Sequence, residues 1–223
     1  MQKSVRLKQK ACGGALTCLV SVALLLALTP RSADTAERVR IRGKCNTCHK
    51  VNAEEWKGSP HQLAWTDSLY VKLSKDHSDP KCLGCHAPDS LQASGVGKEP
   101  AVRDNVQDSG VDCVGCHQDA DEAIHGAQGL NSQDHKVIKD PKLGTVEMCA
   151  SCHAKYGTVD EFKASAHAAE PKACVQCHMP EVERPIAEDG PKRKGHLHTF
   201  RAKDNPDLLK DRLVLDASVA GGK

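Results

Sequence analysis

The pattern C-x-x-C-H occurs five times in this 223-residue chain. The copies are CNTCH (Cys45 to His49), CLGCH (Cys82 to His86), CVGCH (Cys113 to His117), CASCH (Cys149 to His153) and CVQCH (Cys174 to His178). They take up ten of the 12 cysteines; Cys12 and Cys18 stand apart in an apolar N-terminal stretch. The spacing is that of a c-type haem attachment site. Its two-residue gap lets both thiols reach the vinyl groups of one porphyrin, and the adjoining His carries a ring nitrogen to the iron. Structural zinc would use two C-x-x-C units per ion and leave one of five unpaired. A disulfide framework suits an exported chain but, like zinc, gives no reason for a His after every second Cys. The expected cofactors are therefore five covalent haems c on Cys45, Cys48, Cys82, Cys85, Cys113, Cys116, Cys149, Cys152, Cys174 and Cys177. The expected proximal ligands are His49, His86, His117, His153 and His178.

Such cofactors account for an otherwise odd composition. The chain has only two each of Phe, Trp and Tyr, far less ring area than a side-chain core of this size buries. Flat apolar porphyrins are expected to fill the middle, packed against one another because the chain is too short to give each its own pocket. The fold expected is mainly α with much irregular loop, a small multihaem cytochrome c fold with little or no β-sheet.

Residues 1–36 read as an export segment: Lys3, Arg6, Lys8 and Lys10 precede an apolar run from Ala11 to Leu28. The run has no clean A-x-A cleavage site and is long enough to stay as a membrane anchor. The expected location is the periplasm or the cell exterior. Without those residues the chain holds 26 basic against 28 acidic side chains, and haem propionates add further negative charge. No basic run points to nucleic acid. Partners should meet the surface through basic patches or haem edges, with salt-dependent association.

Seven histidines lie outside the motifs: His61, His77, His125, His135, His167, His196 and His198. Five irons each have a second axial position that an imidazole can fill. A repeat picks out two of the seven: EEWKGSPH ends at His61 and DEFKASAH ends at His167. Asn52 with Glu55, and Thr158 with Glu161, read as capping boxes opening short helices, with Val51 stapling Trp56. Ser59-Pro60 is expected to start a second helix reaching about Lys72, with Leu63, Leu69 and Leu73 facing in. In copy two Pro171 cuts such a helix short. Each copy follows one haem motif and precedes another, so residues 45–90 and 141–185 read as two-haem modules. Residues 91–140 form a third-haem bridge, and 186–223 a ligand segment with a helix opened by Asn205-Pro206, all within one domain, 37–223.

EEWKGSPH, DEFKASAH followed by CVQCHMP, CVGCHQDADEAIHG and the closing HLHTF resemble the multihaem c-type cytochromes related to hydroxylamine oxidoreductase, pentahaem nitrite reductase and their tetrahaem electron-carrier relatives. The resemblance covers nearly all of residues 45–215. It implies distal ligands at His61, His125, His167 and His198, with the fifth among His135, His77 and His196 and His135 favoured. It also implies single-electron transport along mostly bis-His, low-potential haems, between a quinol-linked or dehydrogenase donor and a terminal or extracellular acceptor, in anaerobic respiration. Nitrite reductases of that group carry a C-x-x-C-K motif, and all five motifs here end in His. The crosslinking Tyr of hydroxylamine oxidoreductases has no counterpart in Tyr70 or Tyr156. Quinol-oxidising membrane cytochromes of another family place Met where Val51 stands. An enzyme with one open haem acting on a small nitrogen or sulfur oxyanion, and a polymerising extracellular subunit, are the alternative expectations.

Overall fold

The computed structural model describes residues 44–130, 132–169, 173–201, 205, 206 and 208. The chain divides into two units, residues 1–37 and 38–223, and every described residue belongs to the second. The expected export segment lies outside the described residues, as does the C-terminal helix beyond its first turn. That turn opens as expected, with Asn205 Oδ1 accepting from the Leu208 N–H at 3.2 Å.

The described part is mainly helical with long irregular connections. In chain order the helices are α1 (Cys45–Cys48), α2 (Lys50–Trp56), α3 (Ser68–Leu73), α4 (Pro80–His86), α5 (Leu91–Ser94), α6 (Cys113–His117), α7 (Val146–His153), α8 (Thr158–Ala164) and α9 (Cys174–His178). Strands β1 (Ile124–Gly126) and β2 (Val137–Lys139) pair in parallel, and β3 (Glu181–Pro185) and β4 (Lys192–His196) form an antiparallel hairpin. The sheet content is small because the chain spends its order on short turns that carry cysteines.

Those turns have local causes. Asp79 caps α4 by accepting from Lys81 N, with Pro80 at the first helical position. Asp112 caps α6 through Gly115 N at 3.0 Å, and Thr145 caps α7 through Met148 N at 3.3 Å. A helical turn puts residues i, i+3 and i+4 on one face. Each motif thus turns its two thiols and its imidazole the same way.

The two expected capping boxes do not form. Helix α2 begins at Lys50, directly after the first motif, so Asn52 and Glu55 lie inside it and reach across to other elements. Helix α8 is opened by Gly157, whose φ of 88° puts Thr158 within the first turn. Val51 is exposed on α2 and staples nothing. The single helix expected up to about Lys72 is instead a 3-10 turn, Gln62–Ala64, followed by α3. Asp67 starts α3 afresh by accepting from Tyr70 N at 2.9 Å. Burial of Tyr70 sets the phase of α3, so Leu69 and Leu73 point outward, 60% and 67% exposed, while Leu63 lines the cavity that the five motifs share.

Among the described residues the buried apolar side chains are Tyr70, Ala87, Leu91, Val114, Ala123, Met148 and Val159. Four of the seven are Ala or Val, and of these Ala87 directly follows the second motif and Val114 lies within the third. The interior is held together more by polar connections than by this small set. Gly110 shows how closely they run: a Cβ built there would meet His61 O at 2.4 Å and Gln62 O at 2.5 Å, and its φ is +61°. Val111 N donates to His61 O at 2.8 Å across that approach. Gly110→Ala is expected to lower stability by about 2 kcal/mol and to shift the His61 turn. Chemical denaturation of the holoprotein measures the first effect.

Candidate haem-binding site

All five motifs line one cavity of about 2990 Å³. A pocket for one drug-sized ligand rarely exceeds about 1,000 Å³. This cavity is sized for several large groups held together. None of the ten motif cysteines is tied into a disulfide.

The motif thiols meet in pairs. Cys113 hydrogen-bonds Cys45, Cys152 hydrogen-bonds Cys85, and Cys149 hydrogen-bonds Cys174. The bond from Cys152 holds the Cys85 thiol down at about 7, and the bond from Cys149 holds Cys174 at about 6. Burial pushes Cys116 up to about 12. The first motif is therefore beside the third, the second beside the fourth, and the fourth beside the fifth. Cys116 interacts with Cys149 and Cys152, which joins the third to the fourth.

Four of the five motif imidazoles are oriented by backbone carbonyls. His49 Nδ1 donates to Ile186 O at 2.8 Å, and His86 Nδ1 to Ala64 O at 2.6 Å. His117 Nδ1 donates to His125 O at 2.9 Å, and His178 Nδ1 to Arg201 O at 2.6 Å. A carbonyl only accepts, so Nδ1 carries the proton and Nε2 keeps a lone pair for a metal. Ala64 is supplied by the 3-10 turn, Ile186 by the connection between β3 and β4, and Arg201 by the segment after β4.

Three lone histidines face motif histidines across the cavity. Ring centroids are 6.3 Å apart for His49 and His135, 6.2 Å for His153 and His61, and 6.1 Å for His117 and His198. An imidazole nitrogen binds a transition metal at about 2 Å, and its ring centroid lies roughly 1.1 Å further back. Two imidazoles on opposite sides of one iron then have centroids about 6.2 Å apart. The residues present fit haem c on this observation: three independent ring pairs hold the spacing an iron between them requires. Burial, reinforced by the charges of His153 and His178, lowers His61 to about 4. Burial, then His117, lowers His198 to about 4. Both stay neutral at ordinary pH, the form that ligates. His61 Nδ1 and His135 Nδ1 are buried without a hydrogen bond, a cost that a metal-directed role for these rings offsets.

The other four lone histidines divide. His125 Nδ1 meets Asp140 Oδ2 at 3.0 Å and its Nε2 meets Asp119 Oδ2 at 3.1 Å. With both nitrogens held by carboxylates, it braces the third motif through its carbonyl on His117. His77 lies away from the cavity lining, stacked on Trp65 at 4.1 Å. His167 lines the cavity from the 3-10 turn Ala166–Ala169 and is itself exposed. His196 lines it from β4 and donates Nδ1 to Met179 O at 2.6 Å, the same orientation as the motif imidazoles. Of the H-L-H pair the sequence reading puts His198 first and keeps His196 as one of three choices for the fifth ligand; the structure brings both to the cavity lining.

His198 is held by a polar clamp built from the repeat. Arg184 on β3 donates Nη1 to Asn52 Oδ1 at 2.9 Å and Nη2 to Glu55 Oε2 at 2.5 Å. Glu55 Oε2 also accepts from the His198 N–H at 3.0 Å, and His198 Nδ1 donates to His196 O at 2.9 Å. Arg184 and Glu55 are 14% and 15% exposed, so this pair is largely out of solvent. Asn52 and Glu55 thus serve the ligand loop rather than the start of their own helix.

Cysteine turns that share one cavity, with paired imidazoles between them, define a multihaem c-type cytochrome. Residues 44–118 match the family described as cytochrome c554 and c-prime, a stretch that contains the first three motifs. The chain is also 30% identical over 144 residues to cytochrome c-554 of Nitrosomonas europaea. That match takes in 64% of this chain and 47% of the relative, so it spans about half the relative's length. No solved structure matches the chain. Among the described residues no helix is long and apolar enough to cross a membrane.

Proposed function

We propose that this chain is an exported pentahaem electron carrier of a respiratory chain, kin in the wider sense to hydroxylamine oxidoreductase and pentahaem nitrite reductase. The observation that carries the reading is the set of three imidazole pairs at 6.1–6.3 Å inside a cavity reached by all five motifs. Haem c, when bound, supplies a one-electron couple at each attachment site. The chain's own part is to anchor, ligate and arrange. His135, His198 and His61 act as distal ligands opposite His49, His117 and His153. His125, His167 and His196 are the remaining cavity-lining imidazoles; His125 has both nitrogens on carboxylates, which leaves His196 and His167 for the sites of His86 and His178. Two imidazoles per iron leave no coordination position for substrate and favour a low-spin centre that changes little with redox state.

The thiol contacts support an order for the sites. A path runs from the first to the third to the fourth, with the second and fifth both beside the fourth. Such a junction lets a donor and an acceptor dock at different ends, which suits a carrier between a quinol-linked or dehydrogenase donor and a terminal or extracellular acceptor. The third reading, a polymerising subunit, needs distal ligands from a neighbouring chain, whereas the three ring pairs are internal.

One observation favours a second reading. Among the described residues neither His86 nor His178 is faced by an imidazole at the spacing of the other three. An open iron at one of these sites would bind a small nitrogen or sulfur oxyanion. Mass spectrometry and electron paramagnetic resonance of the ferric protein decide. The carrier reading expects five haems by mass and low-spin signals throughout. Four haems or fewer sinks the pentahaem assignment, and a high-spin signal from about one centre in five moves the protein to the enzyme reading.

A further inference from the structure

The second attachment site differs from the others in what lies behind its motif imidazole. The Tyr70 ring lies flat on the His86 ring, with centroids 3.7 Å apart and planes 7° apart. Behind Tyr70, the His77 ring meets it edge-on at 5.4 Å and 64°, and Trp65 stacks on His77 at 4.1 Å and 17°. Trp65 also touches Tyr70 directly, at 5.9 Å. Two of the six Phe, Trp and Tyr rings in the chain, with the His77 imidazole, are thus gathered behind one ligand.

The backbone accepts strain to build this arrangement. Lys75, Asp76 and His77 have φ of 54°, 56° and 61°, three successive non-glycine residues in the left-handed region. Single residues visit that region at a cost, and runs of them are rare. Ser74, fully buried, holds the turn: its Oγ accepts from His77 N at 3.1 Å and donates to Val71 O at 3.2 Å. The turn delivers His77 against Trp65, and its Nε2 donates to Trp65 O at 3.0 Å. Strain that persists because its surroundings over-determine it clusters at functional sites. The nearest functional group here is His86.

We propose that Tyr70 is a positioning residue for the second haem site, fixing the plane of the His86 imidazole, with Trp65 and the left-handed turn at His77 fixing Tyr70. The carbonyl of Ala64 sets the His86 tautomer from the edge of the ring, at 2.6 Å. Tyr70 restrains rotation from the face. An imidazole bound to ferric iron is more positive than one bound to ferrous iron, and the electron-rich face of an aromatic ring stabilises the more positive form. The ring therefore lowers the potential of this site. Its hydroxyl is not the agent, since it is buried beside Ser74 without a hydrogen bond of normal geometry.

The proposal rests on a haem at Cys82–His86, which the mass of the unsubstituted holoprotein tests separately. Variants of the full holoprotein are then compared by ferric electron paramagnetic resonance and by redox titration, with His86→Met marking which centre belongs to this site. Tyr70→Leu is expected to change the g values and raise the potential of that one centre, leaving the other four as they were. Tyr70→Phe keeps the ring and should leave all five unchanged. His77→Leu should move the same centre by less, and it decides the matter where Tyr70→Leu does not yield folded holoprotein. No change, a change spread over several centres, or a Phe variant that moves as far as the Leu variant overturns the proposal.

Discussion

Arg103→Leu is expected to lower the stability of the holoprotein by about 3–5 kcal/mol, measured by guanidinium denaturation. Arg103 is 3% exposed and forms an ion pair with Asp112 at 3.2 Å. It also donates to Pro88 O, Asn105 O, Val106 O, Gly110 O and Ser109 Oγ. The loop between the second and third motifs closes around this one guanidinium. Removing it takes the hydrogen bonds from several carbonyls and the counter-ion from a carboxylate that is 9% exposed. Breaking a buried pair costs more than the pair contributes, because the surviving charge stays desolvated. The loss falls on the third site, since Asp112 is also the cap of α6, which carries Cys113 and His117. Arg103→Lys keeps the charge but not the planar fork, and should recover only a minor part of the loss. Against a total stability of about 5–15 kcal/mol, the Leu variant is expected to yield little folded protein at growth temperature.

Arg184→Met is the second large effect, expected at about 3 kcal/mol together with a spectroscopic change. The substitution strands the Glu55 carboxylate, 15% exposed, with the His198 N–H as its remaining partner named above. It also releases Asn52 and the carbonyl of His196. The ligand loop then loses its tie to α2. Under the carrier reading, electron paramagnetic resonance should show one low-spin centre turning high-spin as His198 leaves the position opposite His117. Glu55→Gln alone should cost less, because the amide oxygen can still accept from Arg184, whose charge also keeps Asn52 Oδ1 and the His196 carbonyl as acceptors. The double variant should be less damaged than the sum of the two, because it leaves no stranded charge. Additive losses would mean that the clamp does not act as a unit.

The motifs and their consequences were legible because they are local. Two thiols and an imidazole within five residues identify an attachment site whatever the rest of the chain does. The scarcity of aromatic side chains pointed away from an ordinary side-chain core, and the five motifs line one large cavity. The helix boundaries around the repeat were misread for a physical reason. Asn52 with Glu55 and Thr158 with Glu161 have the spacing of a capping box, but that spacing also suits side chains that reach outward from a helix already begun. Glu55 finds Arg184, which is 129 residues away in sequence, and no local pattern announces such a partner. The leucines of α3 failed likewise, since Asp67 restarts the helix and Tyr70, not the leucines, selects the buried face.

The sequence by itself determined the five C-x-x-C-H motifs, the mainly helical and loop-rich character of the chain, and the presence of histidines beyond the motif ones. Tertiary structure alone decided which histidines face each other. His61 and His153, or His117 and His198, lie 92 and 81 residues apart in sequence, and their spacing of about 6 Å comes from packing. It also decided that His125 is held between two carboxylates, that His196 is turned toward the cavity, and that His77 stands behind Tyr70 and outside the cavity lining. An imidazole has the same composition whether it ligates, braces or stacks. What separates the three roles is the atoms that meet its two nitrogens and its face, and those come from distant parts of the chain.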